Sequence, residues 1–162
     1  MMGVVSEKRL RAAVRKSKGL IQVHGRNCKT TTEQLMAWFK ADTPYEDGTL
    51  DDIIDNQYLI VHELVEIEEV LRMGLRINKR TIIDNLEKVD EAHLEATKME
   101  LRVAAHEGDF NHIRSRLRDI EMWISDPAVT PPQRREYARL LAAAKKTAHL
   151  RPSQSRPRTP VR

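Results

Sequence analysis

The sequence predicts an all-α protein, a helical bundle built around a long antiparallel helical hairpin. Apolar residues recur every three or four positions along most of the chain, which places them on one face of an α-helix. Threonine, proline and glycine residues interrupt this pattern where helices are expected to begin and end. No run of alternating apolar and polar residues indicates a β-strand. We therefore expect residues 1–150 to form a single helical domain.

The first half of the chain is predicted to hold two short helices and then a long one. Ser6 is suited to cap the first helix, because its side-chain oxygen can accept a hydrogen bond from the first turn. Thr30 has capping-box spacing to an acid three residues later and should start the second helix. Thr49 then caps the first helix of the hairpin, over about 49–73. This helix should stop at Gly74, which can take a left-handed conformation.

The second half of the chain is predicted to complete the hairpin and add two helices. A short connection leads into a helix over about 79–107, and such connections favour antiparallel neighbours. Asp109 should cap the next helix, and Thr130 followed by two prolines should start the last one. Residues 151–162, RPSQSRPRTPVR, have almost nothing to bury, so we expect a disordered basic Pro/Arg tail.

Composition favours a cytoplasmic protein. Cys28 is the only cysteine, so no intramolecular disulfide can form and a reducing compartment fits. The apolar runs are far shorter than a membrane span, and the N-terminus lacks the apolar segment of a secretory signal. We therefore expect no membrane association.

Charge is distributed unevenly along the chain. Residues 1–40 hold nine Lys/Arg against two Asp/Glu, whereas residues 41–110 hold seven against eighteen. Such asymmetry can mark a surface for a charged partner. Opposed segments of a compact chain also neutralise each other, and we favour this internal explanation. The arginines of the tail remain candidates for nonspecific contact with an acidic partner.

The second helix of the hairpin carries polar residues on the face that should be apolar. Its apolar residues centre on one stripe at 100° per residue. Four polar residues fall within that stripe at spacings of three, four and three: Asp90, His93, Thr97 and Glu100. Burying a lone carboxylate is costly, so such groups are normally paired, neutralised or bound to a metal.

The first helix of the hairpin supplies further candidates. If the hairpin turns near residue 76, His62 lies level with Asp90, and two glutamates lie within a turn of it. His62 and Glu66 are four residues apart and share a helical face. The apolar arc of this helix points away from them, which argues against their facing the second helix. The candidate metal ligands are His62, Glu63, Glu66, Asp90, His93 and Glu100.

Two interpretations of these residues stay open. Imidazole and carboxylate groups together suit a divalent metal ion, here Zn, Mn, Fe or Mg, and we predict no organic cofactor. In that case the protein binds a divalent metal and has the means to act as a metal-dependent hydrolase. Alternatively, Asp90 and His93 form a hydrogen-bonded pair that satisfies itself inside the bundle.

The acid-rich paired helices loosely resemble the all-α nucleotide pyrophosphatases. This likeness implies Mg²⁺ or Mn²⁺ held by an acidic cluster and hydrolysis of a phosphate-bearing small molecule. The inward Asp-x-x-His element is similar to the Glu-x-x-His elements of ferritin-type bundles, which implies di-metal redox chemistry. Both are likenesses of architecture, and no family is assigned from them.

A non-enzymatic helical interaction module is the alternative function class. Its basic first helix or its arginine tail would contact a protein or, nonspecifically, a nucleic acid. Aromatic residues that could stack on bases make up only 4% of the chain, which argues against sequence-specific reading. We also expect a homodimer, because the broad apolar arcs of two long helices are hard to cover with three short ones.

Overall fold

The computed structural model of the protein describes residues 5–45 and 48–149, and the predicted tail lies outside these ranges. The described residues form helices and no strand, so the all-α prediction is confirmed. None of these helices is long and apolar enough to cross a membrane. The helices are α1 (Glu7–Val23), α2 (Thr32–Phe39), α3 (Leu50–Ile53), α4 (Gln57–Arg72), α5 (Thr81–Asp84), α6 (Leu86–His106), α7 (Phe110–Ser125) and α8 (Pro131–His149).

Most helix starts lie at the capping residues that the sequence indicates. The Ser6 hydroxyl accepts a hydrogen bond from the Arg9 N–H at 3.2 Å, and Thr49 forms a capping box. The start of α2 was wrongly placed, because Thr31 rather than Thr30 forms its capping box. The Thr30 hydroxyl instead donates to the Leu64 carbonyl at 2.8 Å and ties the start of α2 to α4.

Both long helices of the predicted hairpin are interrupted near their N-termini. The segment 49–73 divides into α3 and α4, because Asn56 accepts hydrogen bonds from two backbone N–H groups and starts a new helix. The segment 79–107 likewise divides into α5 and α6. The break lies at Asn85, whose side chain donates to the Thr81 carbonyl at 2.9 Å and whose backbone leaves the helical region. Gly74 ends α4 as expected, with φ 86°.

The helix α4 forms the centre of the bundle. Ten of its sixteen residues are buried, since α1, α2 and α6 all pack against it. The helices α7 and α8 pack against each other and cover another side of α6. The apolar arcs that suggested a second subunit are thus largely covered within one chain, and the homodimer stays a prediction.

The helices α4 and α6 run in opposite directions. His62 of α4 contacts Glu100 of α6, whereas Glu66, one turn later on α4, lies beside His93. His62 was predicted to lie level with Asp90, and this register is wrong. The connection contains α5, so the hairpin turns later than residue 76 and His62 lies between His93 and Glu100.

Candidate metal centre

His62 and Glu66 face α6, although the apolar arc of α4 argued that they do not. His62 Nε2 lies 3.0 Å from Glu66 Oε2 within α4, and both side chains are buried. The predicted orientation was wrong because other helices cover α4 on several sides, so its buried residues do not follow one stripe. Polar side chains on such a helix reach the interior wherever a neighbouring helix supplies a partner.

Glu100 is a fully buried carboxylate with three partners. His62 Nδ1 lies 2.8 Å from its Oε2, and His112 Nε2 lies 2.7 Å from its Oε1. Arg116 adds a hydrogen bond from Nη2 at 3.2 Å, while its Nε forms an ion pair at 2.7 Å without a hydrogen bond. Burial alone would raise the pKa of Glu100, but these hydrogen bonds and positive charges hold it well below its usual range.

His62 carries a positive charge in this arrangement. Burial alone would lower its pKa, but hydrogen bonds from its ring to Glu100 and Glu66 outweigh burial and raise the pKa to about 10. Both ring nitrogens therefore carry protons at neutral pH, one directed at each carboxylate. The imidazolium is the internal counter-ion of this pair of acids.

His93 has the opposite electrostatics. Burial and the neighbouring positive charges of His62 and Arg116 lower the pKa of His93 far below its usual value, so this imidazole is neutral. Its ring lies edge-on to His62, with centroids 4.7 Å apart, and edge-on to Trp123 at 4.3 Å. A neutral imidazole is the form that binds metal ions.

The partner of His93 is Tyr137 rather than Asp90. The Tyr137 hydroxyl lies 2.8 Å from His93 Nδ1 and donates to the Asp90 carbonyl at 3.5 Å. Neutral His93 carries one ring proton, and in the tautomer with this proton on Nδ1 the ring donates to the tyrosine oxygen and Nε2 keeps its lone pair. The hydrogen-bonded pair of Asp90 and His93, one of the two interpretations of the sequence, is therefore not formed, and His93 pairs with Tyr137 instead.

Three of the six predicted ligands come together as one group. The ligand atoms of His62, Glu66 and His93 all lie within 4.8 Å of one another. A metal–nitrogen bond is about 2.1 Å long, so two ligands of one tetrahedral ion lie about 3.4 Å apart. A pair of ligand atoms at the limit of 4.8 Å must therefore approach by about 1.4 Å, which rotation of the side chains has to supply.

The other predicted ligands lie outside this group. Glu100 is committed to its three donors behind His62, whereas Glu63 and Asp90 line the adjoining cavity. Within the described ranges, the Asp90 carboxylate accepts no hydrogen bond. Burial, with the negative charges of Asp126 and Glu66, raises its pKa to about 6.

A cavity of about 920 Å³ opens beside the three-residue group. Its volume is within the range of small-molecule sites. Residues of α4, α6, α7 and α8 line its polar end: His62, Glu63, Glu66, Asp90, His93, Arg116, Trp123 and Tyr137. Residues of α1, α2, α3 and the start of α4 line its apolar end: Leu10, Met36, Trp38, Phe39, Ile53 and Leu59.

Sequence reasoning missed three residues of the site and one acidic pair. Asp109 caps α7 by accepting from the His112 N–H at 3.1 Å, and this local contact gives no indication that the His112 ring reaches Glu100. Arg116 follows His112 by one turn, so the two share a face, and this spacing was the available signal. Tyr137 has the spacing of the apolar face of α8, and such a position gives no indication that its hydroxyl contacts His93.

The overlooked acidic pair is Glu87 with Asp90. These two residues form a Glu-x-x-Asp pair that follows the Glu-x-x-Glu pair of Glu63 and Glu66 along the chain. In the structure Glu87 is exposed and does not line the cavity, whereas the other three residues do. The cavity therefore receives three of these four carboxylates.

Comparison of the chain with protein-family models, with curated proteins and with solved structures finds no match. The geometry of the site is therefore the basis for any functional conclusion.

Proposed function

We propose that His62, Glu66 and His93 bind one divalent transition-metal ion and that the protein is a metal-dependent hydrolase of a small molecule. The observation that carries this proposal is the convergence of three ligand atoms, within 4.8 Å of one another, on the wall of a large cavity. Catalytic zinc sites use three protein ligands and leave a further position for water or substrate. The cavity gives that position room and access.

The chemistry of the ligand set supports a transition metal. Two imidazoles and one carboxylate form the set found in several zinc hydrolases, and the same set suits Fe and Mn. A site made only for Mg²⁺ would be built from oxygen ligands. The two histidines therefore favour Zn²⁺ or a related ion over Mg²⁺.

The residues behind the two histidines also fit a metal centre. Histidine ligands usually direct their other ring nitrogen at a carboxylate or another fixed group, which sets the orientation of the ring. Glu100 does this for Nδ1 of His62, and Tyr137 does it for Nδ1 of His93. Nε2 of His93 is then the atom that can bind the ion, and Nε2 of His62 can bind it when the ion replaces the proton that this nitrogen shares with Glu66.

The structural alternative accounts for only part of this arrangement. Glu100, His62 and Glu66 satisfy one another when His62 is protonated, so these three need no metal. His93 takes no part in that network and remains neutral beside a positive ring. In a bundle without metal, His93 would contribute only its hydrogen bond to Tyr137, whereas a metal site requires a second imidazole at this place.

The bound ion would supply Lewis acidity and lower the pKa of a water molecule at the cavity wall. Asp90 lies one turn before His93 and lines the same cavity. Its carboxylate has no hydrogen-bond donor within the described ranges and is placed to take up a proton during hydrolysis. Tyr137 fixes the backbone at this turn through the Asp90 carbonyl.

The test is metal binding by untagged protein that has been stripped with a chelator and reloaded with Zn²⁺ or Co²⁺. We expect one ion per chain in the wild type and none in His93→Gln. His106→Gln is the matched control, because His106 is exposed and its ring lies beside half-buried His24, with centroids 5.2 Å apart. Absence of bound metal in the wild type, or equal binding by the two variants, would overturn the proposal.

A second candidate is a Mg²⁺- or Mn²⁺-dependent hydrolase of phosphate-bearing small molecules. The observation that favours it is the Asp90 carboxylate, which faces the same cavity as Glu63 and Glu66. Three carboxylates suit a hard cation, and the likeness to all-α nucleotide pyrophosphatases suggests nucleoside triphosphates as the first substrates. The test measures release of pyrophosphate from nucleoside triphosphates in the presence of Mn²⁺. Activity that is lost in Asp90→Asn and retained in the exposed control Asp84→Asn would support this second candidate. Release unaffected by Asp90→Asn would exclude this site.

A further inference from the structure

One face of α4 runs along the whole cavity and changes in polarity on the way. Leu59, His62, Glu63 and Glu66 follow one another at helical spacing, and all four line the cavity. The rise of an α-helix places Leu59 about 10 Å from Glu66 along the axis. The polar and apolar ends of the cavity are thus separated by the length of a small molecule.

The apolar end is formed by side chains that the fold already buries. Leu10, Trp38 and Ile53 are 2%, 6% and 8% exposed, and they meet at the cavity from three different helices. Half-buried Met36 and Phe39 of α2 complete this wall. A charged or strongly polar group placed here would lose hydrogen bonds to water, and the indole N–H of Trp38 is the one hydrogen-bond donor that these five side chains carry.

Charged side chains at this end lie at the opening of the cavity. Lys40, Asp51 and Glu7 line the cavity but are exposed, so their charged groups stay in water. Thr49 at the same opening is also exposed. Half-buried Thr43 and exposed Tyr45 also line the cavity, so its interior up to the turn of α4 that carries His62 is mainly apolar, with two hydroxyl-bearing side chains in its wall.

We propose that the cavity binds an amphipathic small molecule, with an oxygen-donor head at the His62–Glu66–His93 group and an uncharged apolar body against Leu10, Met36 and Trp38. This inference rests on the proposed metal site, since the head is held by the ion. The body is held by burial of apolar surface, which depends on its length and not on its particular shape. The ligand class is acyl-like: an oxygen-rich terminus on an alkyl or aryl chain.

The apolar contact predicts a dependence of affinity on chain length. Each methylene group moved from water into an apolar site strengthens binding by about fourfold. This gain continues only as long as added carbons reach the wall formed by Leu10, Met36 and Trp38. A head group without a body should bind weakly, because it uses only the polar end.

The experiment uses a series of alkyl hydroxamates, whose two oxygens bind metal ions, with full-length Zn²⁺-loaded protein in a calorimeter. We expect affinity to rise by about sixteenfold with each pair of carbons from acetohydroxamate to octanohydroxamate. In Met36→Gln this rise should be clearly reduced. Met122→Gln should leave it unchanged, because Met122 is 64% exposed and does not line this cavity.

The outcomes separate this inference from the proposed function. Protein that binds no metal would overturn the metal site itself. The protein could also bind metal and acetohydroxamate but show the same affinity for every hydroxamate of the series. This result would support the metal site and overturn the proposal of an amphipathic ligand. Equal binding of octanohydroxamate by chelator-stripped protein would show that the head does not reach the ion, which also overturns the inference.

Discussion

Replacing Glu100 with glutamine tests the electrostatic arrangement on which the site depends. Glutamine has nearly the same shape as glutamate, so the change removes a negative charge without making a cavity. In the wild type this carboxylate is fully buried and neutralises the charges of His62 and Arg116. The variant Glu100→Gln leaves both of those cations in a buried environment, and one amide oxygen must replace two carboxylate oxygens.

The expected loss of stability follows from the partners of the carboxylate. A hydrogen bond to a charged group contributes about 1.5–3 kcal/mol, and Glu100 accepts three such bonds from His62, His112 and Arg116. Simple addition overestimates the cost, because His62 can lose its proton when its counter-ion is removed. Breaking one partner of a buried ion pair typically costs about 3–5 kcal/mol, and we expect Glu100→Gln to fall in this range.

The assay is denaturant unfolding at pH 7 of the metal-free wild type and variant. Glu95→Gln is the matched control on the same helix, because Glu95 forms a more exposed pair with Lys98 at 2.9 Å. Such a pair contributes at most about 1 kcal/mol, so the control should lose little. A loss below about 1 kcal/mol for Glu100→Gln would refute the view that this carboxylate holds the cluster together.

Three further predictions follow from the same contacts. Because the pKa of His62 is raised in the folded protein, its protonation stabilises the fold fully below pH 6.5, and this stabilisation is lost as the pH rises towards 10. In denaturant unfolding, His62→Asn should therefore show a smaller decline in the free energy of unfolding between pH 7 and 10 than the wild type. Tyr137→Phe should lower the free energy of unfolding by about 1–3 kcal/mol in a denaturant titration, because Nδ1 of His93 loses its buried partner. The same variant should bind Zn²⁺ about tenfold or more weakly in calorimetry. Asn56→Ala should lower the free energy of unfolding by about 1 kcal/mol, whereas Asn56→Asp, which keeps the capping oxygen, should lose much less.

Local signals along the chain predicted the helices well, because capping acts within four residues. Thr49, Asp109 and Thr130 all cap helices where the sequence placed them. Register across the hairpin was not predictable in the same way. It depended on whether the connection contained a helical turn, and α5 is a four-residue helix with no strong signal of its own.

The candidate site was predicted in part for a related reason. His62, Glu66 and His93 were found because charged groups at helical spacing on a buried helix require an explanation. Their partners lie on α7 and α8, and nothing local marks His112 or Tyr137 as facing them. Which donor satisfies which carboxylate is decided by the packing of distant helices. The sequence alone therefore left both a metal site and a hydrogen-bonded Asp90–His93 pair open.

The structure indicates how both descriptions can hold for one cluster. In the metal-free protein a proton on Nε2 of His62 lies against Glu66, and a metal ion would replace that proton between the same two groups. His93 distinguishes the two states, because it contributes nothing to the proton network. His93→Gln should therefore cost metal-free protein only about 1–2 kcal/mol, the loss of one buried hydrogen bond to Tyr137, yet abolish Zn²⁺ binding. A large loss of stability without metal, in the same unfolding assay, would instead make His93 a structural residue and remove the main support for a metal centre.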